Sequence, residues 1–126
     1  MTIVAVLMGL ALVSYQGARK SARDGKRKVE LEQIRSALEM CRADTGSYPV
    51  GPLYSGSDIS CGTPAVVYMT IPSDSLADRR YVYTRITANS YSLCAALEVS
   101  GIPSSCGTVD CGVGVVKTCD YKTANP

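Results

Sequence analysis

Leu31-Glu-Gln-Ile-Arg-Ser-Ala-Leu-Glu-Met-Cys-Arg-Ala-Asp-Thr-Gly-Ser-Tyr-Pro49 is the stretch on which the fold turns. Leu31, Ile34, Leu38 and Cys41 recur at spacings of 3, 4 and 3, which puts them on one stripe of a helix. Gly46 stands where a helix C-cap glycine belongs, and Pro49 stops any continuation. Arg35 and Glu39 pair at i,i+4, as do Asp24 and Lys28 in the favoured acid-first order, and Lys28 and Glu32 in the weaker one. No proline interrupts Thr2 to Asp44. The pattern therefore predicts one helix from Thr2 to about Asp44, about 65 Å long at about 1.5 Å per residue.

A chain of 126 residues has enough material for one domain, and no such domain buries a helix of that length end to end. The C-terminal half can bury its Leu31/Ile34/Leu38 stripe on a small head. The N-terminal half is apolar all round and carries no charge from Met1 to Val13. Its apolar members are Met1, Ile3, Val4, Val6, Leu7, Met8, Leu10, Leu12 and Val13. Such a surface must be covered by a membrane or by other chains. Gly9, Gly17 and Gly25 each weaken the helix by about 1 kcal/mol relative to alanine, and mark either close helix approach or tolerated softness.

Met1 to Tyr15 would reach about 22 Å, against about 30 Å for a bilayer core, so it is a short membrane span. A cleavable signal peptide would need basic residues before the apolar run, and none precede it here. Arg19, Lys20, Arg23, Lys26, Arg27 and Lys28 follow it as a basic collar, opposed only by Asp24. The collar carries +5 and the rest of the chain −3, since the total is +2. With the positive-inside rule, this collar would stay in the cytoplasm and draw the cysteines into a reducing compartment. A basic leader upstream, removed by processing, resolves that conflict. The expected organisation is a protruding segment 1–28 (hydrophobic 1–15, basic 18–28) and a head 29–126 that includes the C-terminal half of the helix.

The head is expected to be β-rich. Gly51–Thr63 is Gly-, Ser- and Pro-rich and reads as a loop. Ala65–Ile71 is a short apolar run, strand or helical turn. Tyr81–Ile86 and Ser90–Leu97 flank a Thr87-Ala88-Asn89 turn and read as an antiparallel hairpin, with Gly112–Cys119 as a third strand. One helix on three strands is an α+β unit. Eight tyrosines are the only aromatics, and with the Ser and Thr content they suit an exposed surface. Cys41, Cys61, Cys94, Cys106, Cys111 and Cys119 form an even set in a short chain, which reads as a disulfide framework. No C-x-x-C pair and no histidine is present to build a zinc site. Six cysteines allow fifteen pairings, and spacing does not choose among them. Ser104–Pro126 carries three of the six and reads as a stapled C-terminal loop.

Ala18-Arg-Lys-Ser-Ala-Arg-Asp-Gly-Lys-Arg-Lys28, the Leu31–Glu39 stripe and Asp44-Thr-Gly-Ser-Tyr-Pro49 together resemble bacterial type IV pilins and type II secretion pseudopilins. In those families a basic helix runs into a D-x-G-x-Y-P exit. The resemblance covers residues 1–49; Tyr68–Pro72 and Tyr91–Glu98 are similar in style only. It implies a prepilin leader, a helix held first in the inner membrane and a helical filament with N-terminal halves inside and heads outside. A cytoplasmic ATPase and a membrane platform would drive assembly. The family's usual Phe start and early glutamate have no counterpart in Met1-Thr-Ile-Val-Ala-Val, and no processing residue is assigned.

Chemistry by side chains finds little support. Without histidine, Ser–His and Cys–His dyads are impossible. Gly112-Val-Gly-Val-Val-Lys-Thr118 lacks the glycine before lysine that a phosphate loop requires. Asp58, Asp74 and Asp78 show no calcium-loop spacing and read as solvated surface. No catalytic, cofactor or metal residues are assigned. The collar's charges fall on all sides of the helix, so acids on neighbouring subunits suit it better than nucleic acid or anionic lipid. The function expected is a homo-oligomeric, extracellular pilus-like filament, transiently anchored in the inner membrane. The alternatives are a secretion pseudopilin, a DNA-uptake pilin or a monomeric membrane-tethered domain.

Overall fold

The helix announced by the Leu31 stripe runs Thr2–Thr45 as one unbroken element, α1, in the computed structural model, which describes residues 2–99 and 106–125. Gly46 ends it at φ 81°, a left-handed conformation that glycine adopts without a Cβ clash. Its N–H donates to the Arg42 carbonyl at 2.7 Å, and the Thr45 hydroxyl caps the Cys41 carbonyl at 2.8 Å. The ion pairs along the helix differ from those expected. Lys26–Glu30 (3.6 Å) and Arg35–Glu32 (3.5 Å) form, and Asp24 turns to Arg27.

Among the described residues six strands follow: β1 (Leu53–Tyr54), β2 (Asp58–Cys61), β3 (Val66–Thr70), β4 (Val82–Thr87), β5 (Ser90–Ala95) and β6 (Tyr121–Ala124). They form an antiparallel sheet in the order β1-β4-β5-β6 and a separate β2–β3 pair, giving an α+β fold. The β4–β5 hairpin turns where the Thr87-Ala88-Asn89 pattern placed it. The segment expected as a loop, Gly51–Thr63, instead carries β1 and β2. Their brevity leaves almost no periodicity to read, and only Ile59 and Cys61 of β2 are buried. Ala65–Ile71 resolves as strand. The third strand of the main sheet is not Gly112–Cys119, which holds a folded-back loop, but β6 beyond it. At Gly112 an added Cβ would lie 1.7 Å from the Val115 carbonyl oxygen, so that loop has no room for a side chain there.

Strand alternation sorts the sheet into two faces. Val82 pairs with Cys94 and Tyr83 with Leu93, so the two pairs point oppositely. Toward the helix, Tyr83, Leu93, Tyr91 and Ala95 meet Leu31, Ile34 and Leu38. Away from it, Val82 and Cys94 pack with Ala96, Cys111 and Cys119 in a smaller cluster. The expectation of a tyrosine-covered surface fails for half the set: Tyr48, Tyr81, Tyr83 and Tyr91 are buried in the core. Burial is tolerable because each phenol finds an acceptor. Tyr48 donates to Glu39 at 2.7 Å, Tyr83 to the Pro49 carbonyl at 2.7 Å, Tyr81 to Glu30, and Tyr91 weakly to Glu39 at 3.4 Å. Desolvation pushes the Tyr83 hydroxyl up to about 12.

The cysteines pair as Cys41–Cys61, Cys94–Cys106 and Cys111–Cys119. The first ties the end of α1 to β2. The second ties β5 to the segment before the C-terminal loop, and the third closes that loop. Of the expected stapled tail, Ser104, Ser105 and Pro126 lie outside the described residues.

Candidate assembly helix

The first half of α1 stands clear of the described residues of the head. Every residue from Thr2 to Ala22 is exposed. The apolar side chains assigned to assembly stand in the open: Ile3 is 75% exposed and Val13 73%, with Val4, Val6, Leu7, Met8, Leu10 and Leu12 between 55% and 66%. Met1 lies outside the described residues. The uncharged stretch continues past Tyr15 through Gln16, Gly17 and Ala18, because no charge occurs before Arg19. By length and composition alone, an 18-residue window of the helix that takes in Arg19 or a later charge is long and apolar enough to cross a membrane, so the reach extends past Tyr15. The basic stretch following it begins with Arg19, whose guanidinium lies 5.6 Å from the Tyr15 ring.

The helix meets the head at Arg23 and Asp24, not after Lys28. There the solvated collar that the sequence suggested is only half right. Arg19, Lys20, Lys26 and Lys28 are exposed, but Arg27 is 1% exposed and Arg23 half-buried. Arg27 makes a two-pronged bond to Asp74, Nε to Oδ2 at 2.6 Å and Nη2 to Oδ1 at 2.7 Å. Its Nη1 donates to Asp24 at 2.7 Å and to Glu98 at 3.1 Å. Arg23 grips both Glu98 oxygens at 2.6 and 2.7 Å. Asp24 accepts the backbone N–H of Glu98 at 2.9 Å and of Val99 at 2.8 Å. Asp74, expected as solvated surface, is a buried partner, while Asp58 bonds the Thr70 hydroxyl and Asp78 pairs with Lys117.

Two guanidiniums and three carboxylates thus form a nearly balanced buried cluster at the neck. Each partner needs the others, since an unpaired charge there would stay desolvated. Arg23, aided by Arg27, pulls the Glu98 carboxyl down to about 2. Desolvation pushes Asp24 upward, yet the two backbone N–H bonds and Arg27 outweigh it and hold the carboxyl below its ordinary range. The Asp74 bond in turn raises the affinity of Arg27 for its proton. The cluster fixes the direction in which the bare helix leaves the head. Below it, Leu31, Ile34 and Leu38 are fully buried, as their spacing required.

Sequence reasoning missed Asp74 and Glu98. They lie 47 and 71 residues from Arg27, and neither sits in a local pattern that marks it. The readable hint was Asp24, a single acid inside a run of bases. No family model, curated protein or solved structure matches the chain.

Proposed function

We propose that the chain is a structural subunit of an extracellular filament of the type IV pilus kind, polymerising through its N-terminal helix. The observation that carries this reading is the bare helix Thr2–Ala22, apolar on all sides to Val13 and exposed throughout among the described residues. Fully burying each of its aliphatic side chains is worth about 1.5–3 kcal/mol, so the segment offers on the order of 10 kcal/mol to whatever covers it. A helix apolar on every side is best covered by neighbours on every side, as in the core of a helical array. The α+β layout, the D-x-G-x-Y-P exit at Asp44–Pro49 and the disulfide-bonded head support the same reading. Such a filament serves adhesion, motility or uptake; a secretion pseudopilus would use the same geometry.

The membrane-length window favours a second reading, a monomer tethered by α1 with its head outside the cell. Negative-stain imaging of the purified protein after detergent removal separates the two. Filaments of uniform width support polymerisation. Dispersed particles in detergent and amorphous aggregate without it would support the tether.

A further inference from the structure

Outside the collar the chain is acidic, at −3 overall with only seven Lys and Arg. Three of those seven, Arg79, Arg80 and Arg85, line two adjoining cavities on the head. The cavities measure about 470 and 540 Å³, and Tyr54 and Arg80 border both. Each volume falls in the range that holds a small organic ligand, roughly 300–1,000 Å³.

The arginines differ in what they have already spent. Arg79 donates from Nη1 to the Ala96 and Leu97 carbonyls at 3.0 and 2.9 Å, so it is a stitch in the fold. The Arg80 guanidinium carbon lies 4.4 Å from the centre of the Tyr54 ring, a cation–π contact. It makes only two long bonds, from Nε and Nη2 to the Asp110 carbonyl at 3.4 and 3.3 Å. Arg85 spends only Nε, on the Thr87 carbonyl at 3.2 Å. Nη1 of Arg80 and both terminal nitrogens of Arg85 thus have no hydrogen-bond partner among the described residues. Two carboxylates also border the cavities: Asp110 is turned to the Gly112 and Lys117 backbone N–H groups at 2.8 and 2.9 Å, and Asp74 is held by the two-pronged bond from Arg27. Among the described residues neither makes an ion pair with Arg80 or Arg85, while Arg79 lies 3.9 Å from Asp78. Thr84 and Thr108 add hydroxyls to one cavity and Ser73 and Ser75 to the other, beside apolar side chains such as Val82 and Leu76.

We propose that this double cleft binds an acidic oligosaccharide, with Arg80 and Arg85 taking uronic-acid carboxylates and the Tyr54 ring and wall hydroxyls meeting the sugar rings. A guanidinium matches a carboxylate with two parallel bonds, which a hydroxyl or amide cannot replace. Walls that mix hydroxyls with apolar faces suit a sugar, which carries both. The site lies on the head and shares no residue with the assembly helix.

The test uses the full chain in nonionic detergent at low salt, with binding to short oligogalacturonate measured by calorimetry. Binding is expected, with none to a neutral galactose oligomer of equal length. R80Q/R85Q should weaken it about tenfold or more, while K122Q, which removes an exposed charge elsewhere, leaves it unchanged. R85Q alone, at a position that bridges no other element, should weaken it in the same direction if the double variant folds poorly. Equal binding by wild type and R85Q would overturn the proposal, because the intact collar would then be the binder. Tighter binding of poly-glutamate or of single-stranded DNA than of oligogalacturonate would overturn it too, by assigning the cleft to another ligand class.

Discussion

The Arg27 guanidinium is almost sealed from water among three carboxylates, so its removal does more than delete a bond. Arg27→Gln leaves Asp74, Asp24 and Glu98 desolvated and short of positive charge. Breaking one side of a buried ion pair typically costs about 3–5 kcal/mol. The denaturant midpoint of the head should fall accordingly. Lys26→Gln, which loses an exposed 3.6 Å pair with Glu30, should cost at most about 0.5 kcal/mol. Similar losses for the two variants would mean that the neck cluster is not a buried network. Glu98 gives the cluster a pH signature. Its carboxyl is held at about 2 in the folded chain, against an ordinary value of 4.5. Folding is therefore favoured by the ionised form, and that contribution is complete above about pH 5. It is lost as pH falls from 4.5 toward 2. The stability difference between wild type and Glu98→Gln should be large at pH 6 and shrink steadily over that interval. A difference independent of pH between 6 and 2 would contradict the assignment.

At the scale of elements, what was legible followed from local pattern. The Leu31/Ile34/Leu38 stripe and Gly46 delimit α1 because helix periodicity and capping act within a few residues. The β4–β5 hairpin was readable for the same reason. What escaped depended on distant partners. β1 is two residues long and exists because β4 offers it an edge. β6 forms on β5 across an interval that holds two cross-linked segments. The clamp at the neck joins residues with separations up to 75, and nothing in a window of sequence reports such a meeting. The cysteine pairing was equally hidden, yet it decides how the β2–β3 sheet is held. That sheet shares no strand pairing with the larger one. It is fastened by Cys41–Cys61, by Ile59 in the core and by the Tyr68 phenol on Asp44. Closing a loop of about 20 residues removes about 3 kcal/mol of unfolded-chain freedom in the entropic account. Cys41→Ala with Cys61→Ala should lower stability by about that amount. Hydrogen exchange should show Asp58–Thr70 losing protection first, with β4 and β5 retaining theirs. A uniform loss across both sheets would show that the bond supports the whole head and not this attachment.

On the scale of the whole molecule, two halves meet at Arg23 and have opposite requirements. The head satisfies its own core, its buried tyrosines and the charges at its neck. The helix before it satisfies none of its apolar surface internally. This separation predicts that the two halves can be perturbed independently. Deleting residues 1–17 removes exposed helix and none of the contacts at the neck, the core or the disulfides. The shortened chain should be soluble without detergent and sediment as a monomer. Its thermal midpoint should match that of the full chain in detergent within about 2 °C, since no buried group is touched. It should form no filaments under conditions in which the full chain does. A milder change argues the same point: Leu10→Lys places a charge in the middle of the apolar surface and should block polymerisation while leaving the midpoint unchanged. Filaments assembled from the shortened chain would refute the assembly role of the helix. A large fall in its midpoint would instead show that the helix stabilises the head, contrary to its lack of contacts there.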